Sequence, residues 1–417
     1  MLNAILPVRS LLVAIFILMS GGGFMTTLVG VRLERAGSSE LLIGLVGTAY
    51  FAGLVAGSLR VSGLIRRVGH IRAFAAFVAF VSASTLAYAV YRHPLLWAVL
   101  RLGDGVCIAG VYVCLESWLN ERAEPATRGS VLAGYMIALY SGQAVGQFLL
   151  TLSDKTPAMP FLIASILISL ASIPVVLTRI SAPPPDDSSP LPVRALYAVS
   201  PLGIVGATAT GLMLGAFYSL GAVFARRLGM DLGNTALFMS TVILGGVALQ
   251  WPLGRLSDRI DRRKVIVFAF GGALAAALAI ALLPSPRPLL LTMAALFGGL
   301  SFGLYPLCVA HTNDRLAPHQ RVAASGGLVL LYSLGAAAGP SVAALAMSVI
   351  GTPGLFLFIA LCAGGALGFG LWRQTRSDPV PAAQQENYVV LPRTTPMSAN
   401  LDPVAPDQAA DQPGSPA

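Results

Sequence analysis

The sequence predicts an all-α membrane protein of twelve transmembrane helices, arranged as two pseudo-symmetric six-helix bundles. Three observations predict it. The 417 residues are 56% hydrophobic and only 11% charged, with a mean hydropathy of +0.76, against about 25% charged in an average soluble domain. Twelve apolar runs are long enough to cross a hydrocarbon core of about 30 Å. The second half of the chain repeats polar punctuation found in the first.

The first six runs fall near 11–31, 41–59, 73–90, 95–119, 129–152 and 160–177. The other six lie near 201–224, 235–253, 265–283, 289–310, 322–350 and 355–372. The first begins just after Arg9 and is longer than the apolar core of a cleavable leader, so it is assigned as a membrane helix. The expected organisation is an N-terminal bundle over 1–178, a linker over 179–200 marked by Pro183, Pro184, Pro185, Asp186 and Asp187, a C-terminal bundle over 201–372, and a disordered cytoplasmic tail over 373–417.

The net charge of +9 does not point to nucleic acid, because Lys and Arg are scattered between apolar runs and form no basic face. They concentrate in the loops on the side of both termini, which places those termini in the cytoplasm of a bacterial-type inner (plasma) membrane. Cys107, Cys114, Cys308 and Cys362 sit inside apolar runs and are read as packing residues. No Walker loop, dinucleotide fingerprint, zinc-protease motif or nucleophile elbow is present, so neither an enzyme nor a cofactor or metal is expected. Without an ATP site, a transporter would draw on a gradient.

The repeat is carried by Asn120-Glu121-Arg122, Pro125 and Arg128 after the fourth run and Asn313-Asp314-Arg315, Pro318 and Arg321 after the tenth. Tyr112 matches Tyr305, and Tyr140-Ser141 matches Tyr332-Ser333. Six helices are an even number, so both copies have the same orientation, with an axis along the membrane normal.

A second repeated element follows the second and eighth runs. In the second half it reads Gly254, Leu256, Asp258, Arg259, Asp261, Arg262, Arg263; in the first it reads Ser62, Leu64, Arg66, Arg67, Gly69, Arg72. These residues resemble the signature G-x-L-x-D-R-x-G-R-R of the major facilitator superfamily, and the chain looks closest to its compact bacterial YcaD-like branch. The second copy departs only at Asp261, whereas the first has Ser62 for the glycine and Arg66 for the aspartate. The resemblance implies the major facilitator fold, alternating access, function as a monomer, and a cytoplasmic gate motif at Gly254, Asp258, Arg259, Arg262, Arg67 and Gly69. Basic clusters behind a membrane helix would also arise from topology alone.

Ionisable groups inside a membrane helix are costly and point to function. The fourth run carries Arg101, Asp104 and Glu116, which with Tyr112 share a stripe about 120° wide at ~100° per residue. Arg101 and Asp104 are spaced to pair, and Arg101 with Gly105 resembles the R-x-x-x-G motif that the superfamily associates with proton coupling. These three are the proton-coupling candidates; a permanent structural ion pair is the competing reading. Glu116 is expected near the cytoplasmic end, pairing with Arg122, Arg128 or the basic loop, with Trp118 at headgroup level.

Tyr112, Gln143, Gln147, Tyr218, Tyr305 and Tyr332 are the substrate-cavity candidates, while Gly142 and Gly146 read as helix packing and Gly335, Gly339 and Pro340 as a bend. The expected function is secondary active transport, as proton-coupled efflux of a small hydrophobic or amphipathic compound, since the lining is mostly apolar and aromatic. The partners are then that molecule, protons and the lipid bilayer. Import of a small nutrient stays open, as does a sensor or assembly partner that docks through its tail.

Overall fold

The computed structural model describes residues 5–124, 127–154, 156–178, 191–283, 286–317, 320–376, 378–381 and 384–395. Every regular element among them is helical. Twelve helices cross the molecule: α1 (Leu6–Arg35), α2 (Glu40–Val68), α3 (His70–Val90), α4 (Pro94–Arg122), α5 (Arg128–Gln147), α6 (Met159–Val176), α7 (Pro201–Arg227), α8 (Leu232–Arg259), α9 (Arg262–Leu282), α10 (Arg287–Asn313), α11 (Arg321–Ile350) and α12 (Gly354–Gln374). Eleven are apolar enough to be recognised as spans by composition. The twelfth, α5, is diluted by Tyr135, Tyr140, Gln143 and Gln147 and is extended by a 3-10 turn, Phe148–Asp154.

Helix ends follow local chemistry. Ser39 caps α2 by accepting from the Leu42 amide at 3.4 Å, and Asp231 caps α8 by accepting from the Asn234 amide at 2.7 Å. Between α2 and α3 the chain reverses at one residue, Gly69, whose φ of +88° is strained for any side chain. At the same place in the second half, Asp261 instead caps α9, accepting from the Arg263 amide at 3.0 Å.

The repeat is visible in the packing. Within the first half α1 packs on α5, α2 on α4 and α3 on α6; within the second, α7 packs on α11, α8 on α10 and α9 on α12. A β-carbon on Gly105 would strike the Tyr50 backbone of α2, and one on its repeat partner Gly298 would strike the Val242 backbone of α8. Gly142 and Gly146 press α5 on the backbone of α1 at Phe16 and Ser20. Outside, Leu45, Val99, Phe268 and Leu361 form part of an exposed apolar belt that lipid would cover.

Across the halves α2 meets α11 and α5 meets α8. The contacts of α2 with α11 lie toward the face away from the termini. Thr48 shares a 2.7 Å hydroxyl contact with Ser341 and donates to the Ala337 carbonyl at 2.8 Å. Gly44 and Gly47 leave room for Pro340, Ala344 and Ser219. At the rim Arg227 of α7 pairs with Glu40 of α2 at 2.6 Å. From α8, Ser240 donates to the Ala144 carbonyl of α5 at 2.8 Å. This face is sealed by direct helix contact.

Two expectations are corrected. The described residues within 373–395 do not form a disordered tail: Arg373 and Gln374 complete α12, and 384–395 fold back between the bundles, where Leu391 and Thr395 are buried. The cause is a short apolar run, Tyr388-Val389-Val390-Leu391, within an otherwise polar segment; residues 396–417 lie outside the described set. The linker is not wholly irregular, since Val193–Val199 form a short helix and the Leu191 amide donates to the Ala323 carbonyl of α11. Pro183, Pro184 and Pro185 lie outside the described residues, as do Pro125 and Pro318.

Gly44→Leu should wedge the sealed face apart, because even a β-carbon there overlaps Pro340 and Ala344. We expect a loss of about 1–3 kcal/mol of stability and faster maleimide labelling of a cysteine placed at Thr48. Unchanged melting and labelling would show that this contact does not close the molecule.

Candidate functional site

A cavity of about 120 Å³ lies between the bundles, beyond the sealed face. α1 contributes Met19, Gly23 and Thr26; α2 contributes Tyr50, Phe51 and Leu54; α4 contributes Ile108 and Tyr112. Tyr140 and Gln143 come from α5, Tyr218 from α7, and Tyr332 and Ala336 from α11. The remaining wall is the folded-back C-terminal segment, Pro392, Arg393 and Thr394.

Four of the six sequence-predicted cavity residues are in this lining: Tyr112, Gln143, Tyr218 and Tyr332. Tyr218 donates to Gln143 Oε1 at 3.0 Å across the two halves. Tyr305 is buried behind the lining, its ring centroid 5.3 Å from that of Tyr332. Gln147 is also fully buried outside it, and neither polar atom of its amide has a hydrogen-bond partner among the described residues.

Arg101 and Asp104 are both buried and stand 3.8 Å apart. The guanidinium lies 4.0 Å from the centre of the Tyr50 ring and donates to the Thr26 hydroxyl, two residues of the cavity wall. Asp104 points the other way, into α3, accepting from the Ser84 hydroxyl and from Tyr88 at 2.7 Å. Tyr88 in turn lines a second pocket of about 200 Å³ with Arg32, Arg35, Arg92 and Trp97. The ion pair therefore lies between two cavities, with its cation toward the central one.

The second half has no counterpart. The positions matching Arg101 and Asp104 are Ala294 and Phe297, and Phe297 joins a dry ring cluster with Phe217 and Phe356.

Glu116 departs from expectation. It is fully buried, and its partners are Tyr135, donating at 2.9 Å, and the hydroxyls of Thr394 and Thr395, not Arg122 or Arg128. The C-terminal segment takes the place expected of those arginines at this carboxylate. Trp118, expected at headgroup level, is instead buried against Phe74 at 5.4 Å between ring centroids.

The second-half signature holds the same segment in place. Arg262 forks onto both oxygens of Asp314 at 2.7 and 2.8 Å, reaches Asp258 at 3.2 Å, and donates to the Glu386 carbonyl at 2.6 Å. The Tyr388 amide donates to Asp258 at 2.8 Å, the Glu386 amide donates to Asp314 at 3.0 Å, and the Glu386 carboxylate pairs with Arg321 at 2.8 Å. A β-carbon on Gly254 would collide with the Tyr388 ring, so the glycine makes room for it. Burial pushes the Asp314 carboxyl up from its ordinary range, and the Arg262 guanidinium pulls it back. Arg259, Arg67 and Gly69 are exposed and take no part in this network.

Sequence reasoning missed Tyr50, Phe51, Thr26 and Arg393 as site residues and noticed Tyr140 only as part of the repeat. The one available signal for Arg393 was the apolar run just before it.

Arg262→Ala removes the hub of the latch and leaves Asp314 unpaired, a change in the range of about 3–5 kcal/mol for a broken buried pair. Amide exchange over 384–395 should accelerate at least about tenfold, while Arg321→Ala, which loses only the half-exposed Glu386 pair, should have a smaller effect. Equal protection in all three proteins would contradict the latch.

Comparison with known proteins agrees with the geometry. The sequence pattern of the Major Facilitator Superfamily matches residues 10–306 and again 204–404. An uncharacterized MFS-type transporter, YcaD, of Salmonella enteritidis PT4 is 28% identical over 358 residues, covering 85% of this chain and 92% of its own; that of Salmonella typhi matches equally. Among solved structures, a bacterial homolog of the human lysosomal transporter Spinster, inward-facing and occupied, superposes with a TM-score of 0.72 at 14% identity, covering 91% of this chain and 97% of its own. The nucleoside transporter NupG also gives 0.72, at 13% identity over 89% and 100% of the two chains. Repeat, signature loop, fold and sequence agree: this chain belongs to the Major Facilitator Superfamily of membrane transporters.

Proposed function

We propose that the protein is a proton-coupled secondary transporter that exports a small hydrophobic or amphipathic compound by alternating access. In this reading it works as a monomer in a bacterial inner membrane, with both termini cytoplasmic. The observation that carries it is the placement of Arg101. Its guanidinium touches Tyr50 and Thr26 of the central cavity, while its carboxylate partner faces Ser84, Tyr88 and a separate pocket.

The chemistry follows from that geometry. A substrate that draws Tyr50 or Thr26 toward itself pulls on the guanidinium, and Asp104 then loses its ion-pair partner in a low-dielectric setting. A lone buried carboxylate takes up a proton, and Tyr88 offers a hydrogen-bonded step toward the second pocket. Rocking of the two bundles would open the sealed face and carry the substrate through. The lining of Met19, Phe51, Leu54 and Ile108 gives an apolar body its contact surface.

The test is proton uptake or release by proteoliposomes on addition of hydrophobic cations, dyes and small nutrients, for wild type and Asp104→Asn. We expect a substrate-dependent proton signal that the variant loses while still binding the substrate. Undiminished proton movement in Asp104→Asn would make the pair purely structural and remove the coupling mechanism.

A further inference from the structure

The C-terminal segment places a positive charge in the central cavity, and the way that charge is held describes the ligand the cavity suits. Arg393 lies 4.3 Å from the centre of the Phe302 ring, 5.6 Å from Tyr332 and 5.7 Å from Tyr140. No carboxylate pairs with it among the described residues. Three ring faces from both halves, from α5, α10 and α11, thus converge on one guanidinium. A cage of this kind favours a cation of delocalised or weakly hydrated charge, with about 2 kcal/mol available per desolvated contact.

A second group points the same way. Glu116 is fully buried in α4, and two of its three hydrogen bonds come from Thr394 and Thr395, the residues that follow Arg393. Withdrawal of the segment removes both hydroxyls and leaves the buried carboxylate with the Tyr135 hydroxyl as its remaining hydrogen-bond partner among the described residues, while it vacates the aromatic cage. An organic cation entering the cage would take the place of the Arg393 guanidinium against the three rings.

The segment is held by polar contacts at its anchors. Its anchors, Glu386 and Tyr388, attach through backbone and side-chain polar contacts to Asp258, Arg262, Asp314 and Arg321, all at the ends of helices on the face of the termini. In the alternating-access reading, rocking of the bundles to close that face would require 386–395 to leave.

We propose that the floor of the central cavity is a binding site for a small organic cation with a planar, delocalised head and an apolar body, and that the chain's own Arg393 occupies it as a tethered competitor. Tyr140, Phe302 and Tyr332 hold the head in the place that the Arg393 guanidinium takes. A tethered occupant competes at a high effective concentration, so its removal unmasks affinity without any new contact. The inference rests on the transporter reading for its biological sense, but its own test is binding.

Phenylguanidinium is the probe, titrated calorimetrically into the full chain in nanodiscs. Arg393→Ala should bind it at least about tenfold more tightly than wild type, a difference of ~1.4 kcal/mol. Adding Phe302→Ala to Arg393→Ala should abolish that gain, and a thermal melt of each variant separates lost binding from lost folding. Arg393→Lys, which keeps the charge but loses the planar head, should fall between wild type and Arg393→Ala. Equal affinity in wild type and folded Arg393→Ala, or no binding to either, overturns the proposal. Phenylguanidinium flux into proteoliposomes is measured in parallel. Binding that follows the expected order with no flux would defeat the transporter reading and uphold the site, whereas flux with affinities indifferent to Arg393 would do the reverse.

Discussion

Charge inside a membrane has to be compensated by the protein, because lipid supplies neither a counter-ion nor a hydrogen bond. This requirement explains most of what is distinctive in the structure. Arg101 is shared among Asp104, Thr26 and the face of Tyr50. Glu116 takes three hydroxyls, and Arg393 takes three aromatic rings. Each arrangement draws on more than one helix or on the C-terminal segment, so a relative movement of those elements changes the electrostatic balance. A transporter needs that sensitivity, since its substrate has only small forces with which to bias large movements.

The repeat shows where symmetry serves structure and where it yields. Gly105 and Gly298 do the same work in the two halves, bringing α4 onto α2 and α10 onto α8. Arg101 and Asp104, by contrast, are matched by Ala294 and Phe297, the latter in a packed aromatic cluster. At this level of the membrane the first bundle carries an ion pair and the second a packed aromatic cluster, whereas the second bundle's own buried pair, Arg262 with Asp314, sits at its helix ends. The signature loop is asymmetric in the opposite sense: the second copy keeps Gly254, Asp258 and Arg262, and these hold the C-terminal segment, while the first ends at the exposed Gly69.

Much of the fold was legible because its signals are local. Apolar length specifies a membrane helix, and a repeated Asn-acid-Arg with matched tyrosines specifies a doubled bundle. Polar residues inside apolar helices were the signal for Tyr112, Gln143, Tyr218 and Tyr332, and these four line the central cavity. Tyr305 and Gln147 fell behind it because one helix has two inward-facing sides, one toward the cavity and one toward its neighbour in the same bundle. The partners of Glu116 were beyond reach, as Thr394 and Thr395 are distant in sequence and belong to a segment whose composition resembles that of a disordered chain. Such a segment is ordered by the cavity it enters, and its own residues carry only the run 388–391 as a sign of it.

The central claim is that one face is closed by direct helix contact and the other by the chain's own C-terminal segment. Cryo-electron microscopy of the full chain in lipid nanodiscs, without added ligand, tests it most directly. The account predicts continuous density for 386–395 between the bundles, with Arg393 against Phe302 and the Thr48 to Ser341 contact intact. An open, solvent-filled vestibule with 386–395 outside the cavity would contradict it.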